Sequence, residues 1–107
     1  MHKSKAHRIA LTLLLAMAAS RVGAAAPDKA RTLCQNCHGD NGVAVVPGAA
    51  NLSGQQKEYL TRQLRAFRSG SRQDPQMNTV AKMLTDADIE ALAEWYSAVK
   101  VVVEAPK

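Results

Sequence analysis

The hydrophobic positions of this 107-residue chain form one nearly continuous apolar run near the start, then helical stripes parted by polar, glycine-containing segments. The early run covers residues 9–19. Downstream, Ala30, Leu33 and Cys34 recur at helical spacing behind Pro27-Asp28. Proline suits a first turn and an acid suits the positive end of the helix dipole. This first helix is predicted to end at Gly39-Asp40-Asn41-Gly42. Residues 43–52 read as loop, because the valine-rich piece at 43–46 finds no partner strand elsewhere.

Leu60, Leu64 and Phe67 set the stripe of a second helix, flanked by Tyr59 and ending at Gly70. Ser53-Gly54-Gln55-Gln56 has the S-x-x-Q form of a capping box at its start. Residues 69–76 are polar, contain Gly70 and Pro75, and read as a loop with Met77 at its end. A short helical turn is expected over residues 80–84. Thr85-Asp86-Ala87-Asp88 then caps a last helix whose apolar face is Ile89, Leu92, Ala93, Tyr96 and Val99. There are no repeats and no low-complexity segments, and the expected class is all-α.

The early apolar run is read as export machinery rather than as part of the fold. His2, Lys3, Lys5, His7 and Arg8 form a basic n-region, and Val22-Gly23-Ala24 fits a small-x-small cleavage site. Residues 1–24 are therefore expected to be a signal peptide and residues 25–107 the functional domain. The apolar run is short for a membrane span, so no stable span is expected after processing, and the compartment is expected to be the periplasm. Processing also changes the charge. The chain carries 14 Lys and Arg against 9 Asp and Glu, a net +5, but four basic residues and no acids lie in 1–24. The remaining domain is close to neutral, which gives no argument for nucleic-acid binding.

Cys34-Gln35-Asn36-Cys37-His38 is a C-x-x-C-H run. Two thiols three residues apart can each add to a vinyl group of haem, and the adjacent imidazole can then bind the iron axially. Structural zinc needs about four ligands, whereas Cys34, Cys37 and His38 are all that the domain offers once His2 and His7 leave. A thioredoxin-like dithiol would sit in a mixed strand-and-helix pattern. A Cys34–Cys37 disulfide would leave His38 unexplained. A domain of about 83 residues with few aromatics also gains from a covalently fixed apolar disc. One covalent haem c is the expected cofactor, with Cys34 and Cys37 as its thioether positions and His38 as an iron ligand.

With no second histidine in the domain, a methionine is the natural second axial ligand. Met83 lies at helical spacing with Val80 and Leu84, where packing explains it. Met77 lies in a polar, proline-containing segment and is the preferred candidate, with Met83 or an open site as alternatives. The arginines Arg62, Arg65 and Arg68, with Arg72 beyond the helix end, form a basic run. It reads as a solvated face, as a docking surface for an acidic redox partner, or as a propionate contact by one arginine.

The C-x-x-C-H run, Leu52-Ser53-Gly54-Gln55, the Tyr59-Leu60 helix start and the stretch from Met77 to Tyr96 resemble class I monohaem cytochromes c of bacteria. The likeness is to the small type that also forms each half of dihaem cytochromes c, and it covers about residues 28–100. The resemblance implies a small cytochrome c fold, about four short helices around one covalently bound haem. It places Cys34 and Cys37 on the haem, with His38 and Met77 as proximal and distal iron ligands. It also marks two departures. Ala50 stands where the family often has a proline whose carbonyl accepts a hydrogen bond from the proximal histidine. Pro27 stands near the family's helix-crossing glycine, so the expected crossing shifts to Ala30 or is looser.

The expected function is one-electron transfer without catalysis, since histidine and thioether ligation fill both axial positions and thioether ligation favours ferrous iron. The expected partners are redox proteins: a periplasmic or membrane-bound reductase, oxidase or dehydrogenase. The alternative is a haem sensor or enzyme subunit with an open distal site.

Overall fold

A proline followed by an acid at positions 27 and 28 starts the first helical segment, as the pattern predicts. The Ala30 amide donates to the Pro27 carbonyl at 3.0 Å. The computed structural model describes residues 24–107, so the expected signal peptide lies almost wholly outside the described residues. Among these the secondary structure is helical, without strands. A π-helical turn, Ala30–Cys34, runs directly into α1, Gln35–His38. The helices α2, Lys57–Ser69, α3, Pro75–Ala81, and α4, Asp86–Ala98, follow. The all-α expectation holds, and residues 43–46 are loop.

The core is small. Ala30, Leu60, Leu84, Ile89, Leu92, Ala93 and Tyr96 form one buried cluster, drawn mainly from the predicted face of α4. Ala30 is 2% exposed within it, so the first segment meets α4 at the alanine rather than at Pro27. Val99 ends α4 as its C-cap.

The caps show where local reading succeeded and where it did not. Thr85 and Asp88 form the complete reciprocal box: Asp88 N donates to Thr85 Oγ1 at 3.1 Å and Thr85 N donates to Asp88 Oδ2 at 2.9 Å. The expected box at Ser53 does not form. Helix α2 starts at Lys57 behind Gln56, with no side-chain cap. Ser53 Oγ instead donates to the Asn41 carbonyl at 2.8 Å, and Gly54 N donates to the Tyr96 carbonyl at 2.9 Å. Tertiary partners have claimed the groups that a local cap would use.

The segment expected to be loop up to Met77 is partly helical. Asp74 is the N-cap of α3 and Pro75 its first residue, with Asp74 Oδ1 accepting from Gln76 N at 3.0 Å and Met77 N at 2.8 Å. Met77 therefore stands in the first turn of α3. The helix ends at Ala81, and Met83, expected to pack inside, is 49% exposed in the turn that follows.

Helices α2 and α4 run antiparallel and are joined by three ion pairs: Lys57 with Glu94, Arg65 with Glu90 at 3.0 Å, and Arg68 with Asp86. Arg68 also donates to the Leu84 carbonyl at 3.2 Å. Two of the three helical arginines are thus engaged with α4, and the row is neither a plain solvated face nor a set of free cations. Exposed pairs of this kind contribute little each. They do fix the relative register of the two helices.

The Arg68 guanidinium holds the Asp86 carboxyl below its usual range, and the Thr85 amide does the same for Asp88. A carboxyl depressed in the folded state stabilises above its unfolded value, and that contribution is lost as pH falls through the folded one. The thermal midpoint is therefore expected to fall as pH drops below about 4. The combined Asp86→Asn, Asp88→Asn variant should show a shallower fall. Thermal melts from pH 2 to 7 measure both profiles.

Candidate functional site: a cleft around the C-x-x-C-H segment

Cys34 closes the π-helical turn, and Cys37 and His38 lie in the α-helical turn that follows it. The wider turn is closed by the Gln35 amide donating to the Ala30 carbonyl, and such bulges are frequent at functional sites. Offsets of three and four residues keep Cys34, Cys37 and His38 on one helical face. Gly39 then turns the chain at φ 73°, where a Cβ would sit 2.1 Å from the Val43 carbonyl oxygen. Only glycine permits that approach.

The loop that follows folds back across the motif. Val45 N donates to the Cys37 carbonyl at 3.0 Å, Ala44 N to Asn51 Oδ1 at 2.8 Å, and Leu52 N to the Gly42 carbonyl at 2.7 Å. This return brings Ala50 to His38, whose Nδ1 donates to the Ala50 carbonyl at 2.7 Å. A carbonyl only accepts, so Nδ1 is the protonated nitrogen, and in the neutral imidazole the lone pair lies on Nε2. The acceptor expected from a proline is supplied by the alanine in its place.

A cleft of about 500 Å³ opens beside the motif. Cys34, Cys37 and His38 line it, together with Leu64 and Phe67 from α2, Met77 and Val80 from α3, and Leu92 and Tyr96 from α4. All four sequence-predicted site residues are therefore gathered at one cleft, and Met83 is not among its lining residues. Cys34 and Cys37 are free thiols. Burial pushes the Cys34 thiol up, opposed in part by the Tyr96 hydroxyl. The Tyr96 hydroxyl is itself raised well beyond the usual phenol range, first by burial and then by the nearby Cys34 sulfur. Tyr96 Oη is buried with no hydrogen-bond partner among the described residues. Two thiols, an imidazole and a thioether on a largely apolar cleft fit a large apolar group bearing a soft-ligated iron. Among the described residues no three of His, Cys, Asp or Glu cluster as metal ligands, and no helix is long and apolar enough to cross a membrane.

A family model described as Cytochrome c matches residues 24–100. The chain belongs to the cytochrome c family. It is 38% identical over 78 residues to cytochrome c-554(548) of Halomonas halodenitrificans, covering 70% of this chain and 93% of that one. It is 40% identical over 74 residues to the thiosulfate dehydrogenase electron acceptor of Thiomonas intermedia, covering 66% of this chain and 34% of that protein. The solved structure of Acidithiobacillus ferrooxidans cytochrome c4 matches with a TM-score of 0.58 and 35% identity, over 62% of this chain and 38% of that one. The chain thus spans well under half the length of two of these relatives and nearly all of the third. It is a small class I bacterial cytochrome c resembling one half of a dihaem cytochrome c4, with covalently bound haem c. Cys34 and Cys37 fit the attachment motif.

Two residues at this site were not foreseen. Asp74 caps the helix that carries Met77, and Asn78 clasps the segment before it. Asn78 Nδ2 donates to the Phe67 carbonyl at 2.8 Å and the Arg72 carbonyl at 2.9 Å, while Asn78 Oδ1 accepts from Asp74 N at 2.8 Å. The Asp-Pro dipeptide was the readable signal for the cap. Nothing local marks Asn78, whose partners are backbone groups of α2 and the loop. Asn78→Ala is expected to destabilise the holoprotein by roughly 1–3 kcal/mol and Asp74→Ala by about 1 kcal/mol. Denaturant unfolding measures both.

Proposed function

We propose that this cytochrome is an exported one-electron carrier in which Cys34 and Cys37 would hold the haem as thioethers and His38 and Met77 would bind its iron. Residues 1–24 act as a cleaved signal peptide, and the mature domain works in the periplasm. The observation that carries the reading is the His38–Ala50 hydrogen bond, which occupies Nδ1 and leaves Nε2 as the nitrogen available to iron, at a cleft that Met77 also lines. The bound haem supplies a one-electron ferrous–ferric couple.

The chain's own residues set the conditions for that couple. Ala50 holds the imidazole tautomer and orientation, as outer-shell acceptors do for metal-binding histidines. Asp74 and Asn78 anchor the start of α3 and thereby the methionine. The apolar cleft wall of Leu64, Phe67, Val80 and Leu92 limits water, which would favour the more charged ferric state. No residue of the domain is assigned a catalytic role. The partner is a redox protein: a periplasmic or membrane-bound reductase, oxidase or dehydrogenase. The relative named as an electron acceptor for thiosulfate dehydrogenase supports a dehydrogenase among these.

Met77→Ala should leave haem attached to the denatured chain, abolish the weak far-red thioether-to-iron band of the oxidised protein, and let carbon monoxide bind the reduced form at neutral pH. Met83→Ala should leave all three unchanged. Carbon monoxide binding to the unmutated reduced protein would instead indicate an open distal site and a sensor or enzyme subunit. Visible spectra of the purified proteins decide between these outcomes.

A further inference from the structure

Tyr96 carries a hydroxyl that the fold holds away from water and leaves unpaired. The residue is 2% exposed, and its Oη has no hydrogen-bond partner among the described residues. A buried donor without a partner is uncommon, because it forfeits the hydrogen bonds that water gave it. The ring cannot swing to relieve this. Its edge meets Trp95, with the ring centroids 4.8 Å apart and the planes at 76°. A Cβ at Gly42 would stand only 2.9 Å from Tyr96 Cδ1, so backbone closes that side. The Tyr96 carbonyl in turn accepts from Gly54 N at 2.9 Å.

Other polar groups that share the cleft are engaged elsewhere. Asn51 Oδ1 accepts from Ala44 N, Gln55 Oε1 from Gln56 N, Gln63 Oε1 from Arg72, and Asp74 Oδ1 from two amides of α3. His38 Nδ1 donates to Ala50. Besides burial, the group that acts on the Tyr96 hydroxyl is the Cys34 sulfur. Cys34 packs against the buried cluster that contains Tyr96, and both line the cleft. A thiol and a phenol side by side can each donate or accept, so nothing fixes the sense of a bond between them. Haem attachment removes that freedom. The Cys34 S–H adds across a vinyl group, sulfur to one carbon and hydrogen to the other, with no net oxidation. The thioether sulfur keeps its lone pairs and has no proton to give.

Resting on the haem-carrier reading above, we propose that the Tyr96 hydroxyl donates to the Cys34 sulfur once that sulfur is a thioether, and that this bond favours the ferrous state. A donor at the sulfur draws electron density from the ring edge that the sulfur substitutes. Hydrogen bonding in the second shell is one of the means by which a protein sets a haem potential. Tyr96 is then a positioning residue that acts through Cys34 and does not touch the iron. Packing alone would be served as well by phenylalanine, which has no hydroxyl to bury and avoids the cost of burying one.

The test compares purified holoprotein of the wild type and Y96F by three measurements: the resonance Raman band of the thioether C–S stretch, the midpoint potential from pH 5 to 9, and the thermal midpoint. Y96F should shift the C–S band, lower the potential by the same margin at every pH, and lower the thermal midpoint. Loss of a hydrogen bond that is made destabilises, whereas removal of an unpaired buried hydroxyl is neutral or stabilising. An unmoved C–S band or an unmoved potential would overturn the proposal. With an unmoved band, a raised or unchanged thermal midpoint would mean an unpaired hydroxyl, and a lowered one a partner other than the sulfur. A potential margin that changes with pH would overturn it too, since the acceptor would then be a titrating carboxylate. If Y96F does not accumulate as holoprotein, wild type refolded in deuterium oxide should show a C–S band displaced from its position in ordinary water, and coincident bands would count against the bond. A wild-type chain from which haem separates on denaturation would instead bring down the carrier reading itself.

Discussion

The helices of this domain bury little against one another, and its architecture follows from that shortage. Three of the nine buried hydrophobic residues among those described are alanines, Ala30, Ala81 and Ala93, and few large side chains, chiefly Ile89, Leu92 and Tyr96, are removed almost completely from water. A domain of this size has too small a core to rely on helix packing alone. Leucine, phenylalanine and valine side chains of α2 and α3 line a cleft beside the covalent motif. An apolar disc fixed by two thioethers supplies the shared surface that the helices lack. Stability and function thus draw on the same contacts, and the domain is expected to be a different object without its haem.

What the sequence made legible was whatever is decided within a few residues. The helical setting of the C-x-x-C-H run, the Thr85–Asp88 box, the apolar face of α4 and the stop at Gly70 each depend on neighbours, and each is found as read. The Ser53 box failed because its hydroxyl has a better partner in Asn41, twelve residues earlier. The start of α3 was missed because polar composition around Pro75 was read as loop, although Asp74-Pro75 carries the cap and first-turn signal. The π-helical turn leaves no local mark at all: Ala30, Leu33 and Cys34 keep an ordinary helical spacing, and the wider turn is seen only in the backbone.

The methionine assignment illustrates the same division. Both candidates were visible, and both environments were misjudged: Met77 is in a helix rather than a loop, and Met83 is half-exposed rather than packed. The preference for Met77 was nonetheless compatible with the fold, since a polar, proline-bearing segment at a helix start can turn an apolar side chain toward a cleft while its cap faces water.

The arginines show most clearly how far composition stops short of function. Arg62, Arg65, Arg68 and Arg72 are one basic run in the sequence. In the fold they part company: Arg65 and Arg68 brace α4, Arg62 lies over Tyr59, and Arg72 turns to the cleft. Arg65 and Arg68 differ from Arg72 in where the nearest carboxylate stands, and those carboxylates belong to a helix about twenty residues away in the chain. A run of like charge therefore reports a face only until the opposing helix is placed.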